Sequence, residues 1–148
     1  MHDQPRYKPL AKSDFFDDKR ASRGQVEGTV ARGQLRDDEH LYTGKLGKAL
    51  ATTYPFPITA DVLKRGRERY TIYCTPCHGT SGRGDGPVST KFVPPADLTN
   101  PELHKVRTDG YWQSYLSAGG AVMPSYAEAL SSEERWHVVN YLRTLAKR

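Results

Sequence analysis

The sequence predicts an all-α domain preceded by an extended, mostly irregular N-terminal arm, and three observations carry that expectation. After residue 57 apolar residues recur at helical spacing, and each periodic segment opens at a capping side chain. Before residue 57 there is neither sustained helical periodicity nor long alternation. The change falls at Tyr54-Pro55-Phe56-Pro57, which divides the chain into an arm, residues 1–57, and a helical domain, residues 58–148.

In the arm, residues 1–53 are polar and carry many charges, Arg32, Asp37, Asp38 and Glu39 among them. Its apolar points, Phe15-Phe16, Val26, Val30, Leu35 and Leu41-Tyr42, are short and separated by glycines. They cannot build a core of their own, which fits an arm that wraps its domain or docks on a neighbour. Deletion up to Tyr54 is therefore expected to leave a folded domain. The first helix opens at Thr59, with Asp61 in its first turn complementing the dipole, and runs through Arg65, Arg69 and Tyr73. A second is expected to be capped by Asp109, to carry Trp112, Tyr115 and Leu116 at i, i+3 and i+4, and to stop at Gly119-Gly120. Ser131 and Glu134 form a capping box for the last, whose stripe is Val138, Tyr141, Leu142 and Leu145 before the basic end Lys147-Arg148. The Gly- and Pro-rich stretch of about thirty residues before Asp109 is too long for a plain connection in a compact domain and implies that it wraps something.

That something is indicated by Tyr73-Cys74-Thr75-Pro76-Cys77-His78-Gly79, a C-x-x-C-H run that uses both cysteines of the chain. Two thiols three positions apart on one helical turn can each add to a haem vinyl group, and the next residue, His78, then projects onto the iron. A thioredoxin-like thiol pair would want a βαβ context, and a zinc site a second ligand pair; neither is present. One covalent haem c is expected. With 36% hydrophobic residues among 148 and a mean hydropathy of −0.72, the polypeptide offers a modest core that a buried haem would enlarge.

The porphyrin fills four positions of the iron and His78 a fifth, so the sixth decides between carrying electrons and binding small molecules. Met123, in Gly119-Gly120-Ala121-Val122-Met123-Pro124, is the expected ligand. A thioether there raises the reduction potential, and Pro124 restrains the loop. Met1, the other methionine, sits at the chain start. His2, His40, His104 and His137 read as surface imidazoles, and Met123 has an ordinary core methionine as its alternative reading.

Lys and Arg outnumber Asp and Glu 22 to 17, for a net charge of +5. The basic residues are scattered among acids with no nucleic-acid-binding motif, which argues against nucleic acid as a partner. Lys64, Arg65, Arg67, Arg69 and Arg83 lie near the haem motif and could steer an acidic partner. No run of about 18 apolar residues spans a membrane, and Met1-His2-Asp3-Gln4-Pro5 lacks a signal-peptide pattern. Since bacterial c-type haems are attached outside the cytoplasm, an export signal is expected to have been removed.

From residue 58 onward the chain resembles class I cytochromes c. Gly66 and Tyr70 stand eight and four residues before Cys74, as do the glycine and aromatic that let the first helix cross the last in that family, and Val138 and Tyr141 match the reciprocal positions. Gly79-x-x-Gly82-x-Gly84-Asp85-Gly86-Pro87 with Pro94-Pro95-Ala96-Asp97-Leu98 is similar to the loop of its small bacterial members. The resemblance implies that this proline region presents a carbonyl to Nδ1 of His78, a role assigned to Pro87, whose other reading is a plain turn proline. The arm segments Gln4-Pro5-Arg6-Tyr7-Lys8-Pro9-Leu10, Gly28-Thr29-Val30-Ala31-Arg32-Gly33-Gln34-Leu35 and Tyr42-Thr43-Gly44-Lys45 resemble the leader of the monohaem cytochrome c subunit of bacterial alternative complex III. That resemblance implies an electron-transfer subunit of a membrane-associated quinol-oxidising respiratory complex on the periplasmic face of the inner membrane. Its partners would be a multihaem subunit and a downstream oxidase or soluble carrier, with membrane association indirect or through a lipid anchor. A freely diffusing periplasmic cytochrome and a haem-based sensor or peroxidase-like protein are the alternatives; the arm argues against the first, Met123-Pro124 against the second. No independent catalysis is expected of the chain.

Overall fold

The structure, a computed structural model, describes residues 4–147; Met1, His2 and Arg148 lie outside them. The chain forms two compact units, one ending at Leu35 and one beginning at Arg36.

The first unit is irregular but not simply extended. A single antiparallel bridge pairs Lys12 with Arg20, flanked by Ser13 N–H to Lys19 O (3.0 Å) and Ala21 N–H to Ala11 O (3.0 Å). Ser13 is buried under this loop, and the Arg23 guanidinium lies 4.0 Å over the Phe16 ring. Leu10, Phe15 and Val26 remain exposed at 90%, 83% and 72%, so little apolar surface is hidden within the unit.

The second unit takes in residues 36–57, which the sequence had placed in the arm. Asp38 caps a short helix, α1 (Glu39–Thr43), its carboxylate accepting from Leu41 N–H at 2.9 Å, and Gly44 ends it at φ 74°. A two-stranded hairpin follows, β1 (Lys45–Leu46) against β2 (Ala49–Leu50), an addition to the expected all-α architecture. The Leu41 carbonyl accepts from Trp136 Nε1 (2.9 Å) and Gln113 Nε2 (3.2 Å), the Ala51 carbonyl accepts from Gly110 N–H (2.8 Å), and the Tyr54 ring packs on Trp136. These residues contribute carbonyls and single side chains rather than a periodic stripe, which is why pattern reading assigned them to the arm.

The helical frame follows the sequence closely. Thr59 caps α2 (Ala60–Tyr73), and the reciprocal Ser131–Glu134 box caps α6 (Ser132–Leu145). The two cross at Gly66, where a Cβ would fall on the backbone carbonyl oxygen of His137 and 3.1 Å from Tyr141 Cβ. One turn on, the Tyr70 and Tyr141 rings meet at 5.2 Å. Glu134 ties the crossing from outside, taking Arg65 at 2.7 Å and Arg69 at 3.0 Å.

Between them lie α3 (Thr75–His78), a 3-10 turn (Ser89–Lys91), α4 (Pro101–Val106) and α5 (Asp109–Ala118). Thr108, not Asp109, caps α5, its hydroxyl accepting from Tyr111 N–H at 3.2 Å. The Asp109 carboxylate is drawn inward by Arg143 Nε at 2.7 Å and by the Tyr54 hydroxyl at 3.2 Å. α5 stops at Gly119, φ 76°.

Candidate functional site

The C-terminus of α2 delivers the two thiols. Cys74 N–H closes the helix on Tyr70 O at 2.9 Å, and the chain turns directly into α3 with His78 N–H on Cys74 O at 2.8 Å. Cys74 is buried and Cys77 half-buried, and both are free thiols. Burial pushes the Cys74 thiol up to about 12, with Cys77 adding to it.

His78 is aimed by its backbone and its ring. Its Nδ1 lies 3.2 Å from the Ala96 carbonyl, so this nitrogen carries the proton and Nε2 keeps a free lone pair. Burial lowers the pKa of the ring, with the Ala96 bond opposing, which favours the neutral ligand form. The carbonyl is that of Ala96, not of Pro87 as the sequence reading had it. The Pro87 segment is bonded elsewhere: Gly86 N–H goes to Cys77 O (3.1 Å) and Val88 N–H to Pro76 O (3.0 Å), pinning it along the motif backbone. The Pro94-Pro95 pair instead carries the chain around to His78, and Leu98 N–H to Gly82 O at 2.7 Å anchors the return.

Met123 sits half-buried against the same apolar cluster as Cys74. Its loop is folded back on α5 by Gly120 N–H to Met123 O (2.8 Å), the Ser125 hydroxyl to Ser117 O (2.6 Å) and Tyr126 N–H to Leu116 O (2.9 Å). The Tyr126 hydroxyl reaches Tyr73 O at 3.3 Å, and the two rings stand 6.2 Å apart. One tyrosine thus binds the methionine loop to the residue that precedes the first cysteine.

Of the histidines read as surface imidazoles, the three within the described residues, His40, His104 and His137, are framework groups. His40 contacts Thr53 O at 2.7 Å, His137 packs on Phe56, and His104 uses both ring nitrogens, on Leu98 O at 2.7 Å and on Arg143 at 3.0 Å. The basic residues near the motif divide: Arg65 and Arg69 are engaged by Glu134, while Lys64, Arg67 and Arg83 are exposed.

A covalent haem fits the residues present. Two thiols and an imidazole with one free nitrogen are arranged on one turn, and a thioether loop is tied beside them. Trp112 Nε1, buried in α5, has no acceptor among the described residues, an orphaned donor that a haem carboxylate would satisfy. Ala96 and Tyr126 were missed as site residues. Ala96 had a signal in the Pro-Pro preceding it, and Tyr126 had no pattern to single it out. No helix among the described residues is long and apolar enough to cross a membrane.

Comparison with known proteins agrees with this chemistry. The family described as Cytochrome C oxidase, cbb3-type, subunit III matches residues 61–142. Among solved structures, the chain is similar to one from the Kuenenia stuttgartiensis reducing HAO-like protein complex Kustc0457/Kustc0458, with 27% identity, TM-score 0.56, and 72% of this chain and 54% of that chain covered. It therefore spans about half the length of that relative. It is also similar in fold to cytochrome CL from the marine methylotrophic bacterium Methylophaga aminisulfidivorans, with 18% identity, TM-score 0.53 and 82% of each chain covered. No curated protein matches the chain.

Proposed function

The chain belongs to the Cytochrome C oxidase, cbb3-type, subunit III family of c-type cytochrome domains, and from that premise we propose that it carries electrons on one class I haem held by His78 and Met123, as a subunit docked to larger redox partners. The observation that carries this reading is His78 itself: Nδ1 is committed to Ala96 and the remaining nitrogen is free beside two thiols. Haem c, when bound, supplies a one-electron iron couple and nothing else is required of it. The residues of the chain do the rest. Cys74 and Cys77 would hold the group covalently, His78 and Met123 would ligate its iron, the Ala96 carbonyl fixes the tautomer and orientation of the imidazole, and the apolar cluster would keep water away. Trp112 Nε1 would donate to a haem carboxylate.

The fixed-subunit reading, with a multihaem partner in a quinol-oxidising complex of the alternative complex III type at the periplasmic membrane face, is supported by the first unit. It exposes Leu10, Phe15 and Val26, apolar side chains that a partner could cover. The similar Kuenenia chain comes from a protein complex, which agrees with a cytochrome that works in an assembly. A freely diffusing carrier would have little use for such a unit.

The test of electron transfer is direct. Purified protein should keep its haem through acid–acetone extraction and titrate as one reversible one-electron couple; extractable haem, or iron that binds carbon monoxide without displacement of a ligand, overturns the reading. For the arm, deletion of residues 1–35 should leave a red domain with an unchanged denaturation midpoint that no longer co-purifies with its partner subunits. Deletion of residues 1–53, which also removes the Leu41 and Ala51 carbonyls, should lower stability by about 2 kcal/mol or more, since buried Gln113, Trp136 and Gly110 donors lose their acceptors. If both truncations retain full partner binding, the arm is not the docking element.

A further inference from the structure

We propose that His104 is a positioning residue for His78: held neutral between Leu98 and Arg143, it clamps the loop whose Ala96 carbonyl orients the axial imidazole, and its protonation opens that clamp. The inference rests on the reading of His78 as the axial ligand.

The tautomer follows from the partners. His104 Nε2 faces the Leu98 carbonyl at 2.7 Å and must carry the hydrogen. Its Nδ1 faces Arg143 Nη1 at 3.0 Å, a group with only hydrogens to offer, and must present a lone pair. The ring is therefore neutral, with both nitrogens used. Arg143 is in turn fixed by Asp109 at Nε (2.7 Å), by the His104 carbonyl at Nη1 (2.9 Å) and by the Arg107 carbonyl at Nη2 (2.8 Å), and Asp109 also holds the Tyr54 hydroxyl. The groups that face His104 are thus Arg143 from α6 and Asp109 from α5, while the Trp112 ring stands 5.7 Å away.

Leu98 transmits this to the site. Its carbonyl is taken by His104 and its N–H by Gly82 O at 2.7 Å, so residues 96–98 are held from both sides. Two residues upstream, the Ala96 carbonyl accepts from His78 Nδ1. A second proton on His104 would point an N–H at the Arg143 guanidinium 3.0 Å away. The repulsion of two cations in contact would drive the ring out of its place between Arg143 and Leu98, against the stronger donation that an imidazolium makes to the Leu98 carbonyl. Burial and the positive Arg143 lower the pKa of His104, while the Leu98 bond and Asp109 raise it, and burial is the largest of these. The neutral form is what folding favours, so the clamp is fully present above the unfolded value near 6.5 and is lost as pH falls through the lower folded value. Freed from its acceptor, the axial imidazole donates less to the iron, and a cationic ring nearby acts in the same direction, so the potential rises on acidification.

The test compares the reduction potential of the holoprotein from pH 8 to pH 4.5 with that of His104→Gln and His104→Phe, together with exchange of the His78 Nδ1–H in the reduced state. Gln keeps an amide donor for Leu98 but cannot titrate; Phe keeps the ring volume and loses both bonds. The wild type should show a potential that rises as His104 takes up its proton. His104→Gln should match it at pH 8 and lose the rise. His104→Phe should have a raised potential already at pH 8 and exchange the His78 proton about tenfold faster. A pH-dependent rise that persists in His104→Gln, or an exchange rate unchanged in His104→Phe, overturns the clamp. All three proteins should keep a low-spin spectrum; its absence in the wild type would instead refute the axial reading on which the clamp depends.

Discussion

Replacing Gly66 by Ala should be among the most damaging single-methyl additions available to this chain. The site on α2 lies over the backbone of α6, and a Cβ there would overlap the His137 carbonyl oxygen. A flexible side chain could swing away, but a helical carbonyl can only move with its helix. Separating the helices would also loosen the Tyr70–Tyr141 ring contact and the Glu134 bridge to Arg65 and Arg69. Overpacking of this kind costs about 3 kcal/mol or more, against roughly 5–15 kcal/mol of total stability for a domain of ordinary size. Opposing this, Ala in a helix interior is favoured over Gly by about 1 kcal/mol, which is too small to reverse the sign. Guanidinium denaturation of the holoprotein measures the difference. Gly24→Ala is the control, because nothing lies within 4 Å of a Cβ built there. Equal midpoints for Gly66→Ala and Gly24→Ala would mean that the crossing is looser than the structure places it.

The same crossing marks how much could be read from sequence. Gly66 and Tyr70 were legible through the resemblance to class I cytochromes c, which have a glycine and an aromatic at these distances before the first cysteine, and the Thr59 cap and the Ser131–Glu134 box were legible because capping is local. The haem motif needed only five consecutive residues. What escaped were interactions in which one partner is a backbone carbonyl: Ala96 toward His78, Leu41 toward Trp136 and Gln113, Leu98 toward His104. Any residue type supplies a carbonyl, so the sequence carries no mark of which one is used. Asp109 failed differently. Asp and Thr at positions 109 and 108 both suit a helix N-terminus, and the choice was made by Arg143, thirty-four residues away, which drew the carboxylate inward and left the cap to Thr108. Residues 36–57 were misassigned for the reason that applies to Ala96: their contribution is carbonyls and isolated rings against a core that other segments define.

Met123→Ala should change the chemistry of the chain more than any other substitution outside the C-x-x-C-H motif. Met123 is half-buried beside the apolar cluster that includes Cys74, and its loop is held by Ser125, Tyr126 and Gly120 independently of the thioether. Truncation therefore removes the sulfur while leaving the loop backbone with its hydrogen bonds, so the loss is expected to be one of ligation rather than of fold. Methionine as the axial partner of histidine raises the potential, and axial ligands command roughly 0.8 V in all; without it the midpoint should fall by on the order of a hundred millivolts or more. The near-infrared methionine-to-iron band should vanish from the oxidised protein, and the reduced protein should bind carbon monoxide. Met123→His separates ligation from packing: an imidazole restores six coordinate bonds and blocks carbon monoxide, but leaves the potential low, because it is the thioether that favours the reduced state. A wild-type protein that lacks the band from the outset, or a Met123→Ala protein that retains it, would remove Met123 from the iron, and the electron-carrier reading would then have to find its sixth ligand elsewhere. Among the described histidines, His104 spends both ring nitrogens on Leu98 and Arg143 and His40 has one on Thr53, while His137 Nδ1 is buried with no hydrogen-bond partner. With no other side chain in that place the sixth position would be open, and with it would come the sensor or peroxidase-like chemistry that ligation by Met123 would exclude.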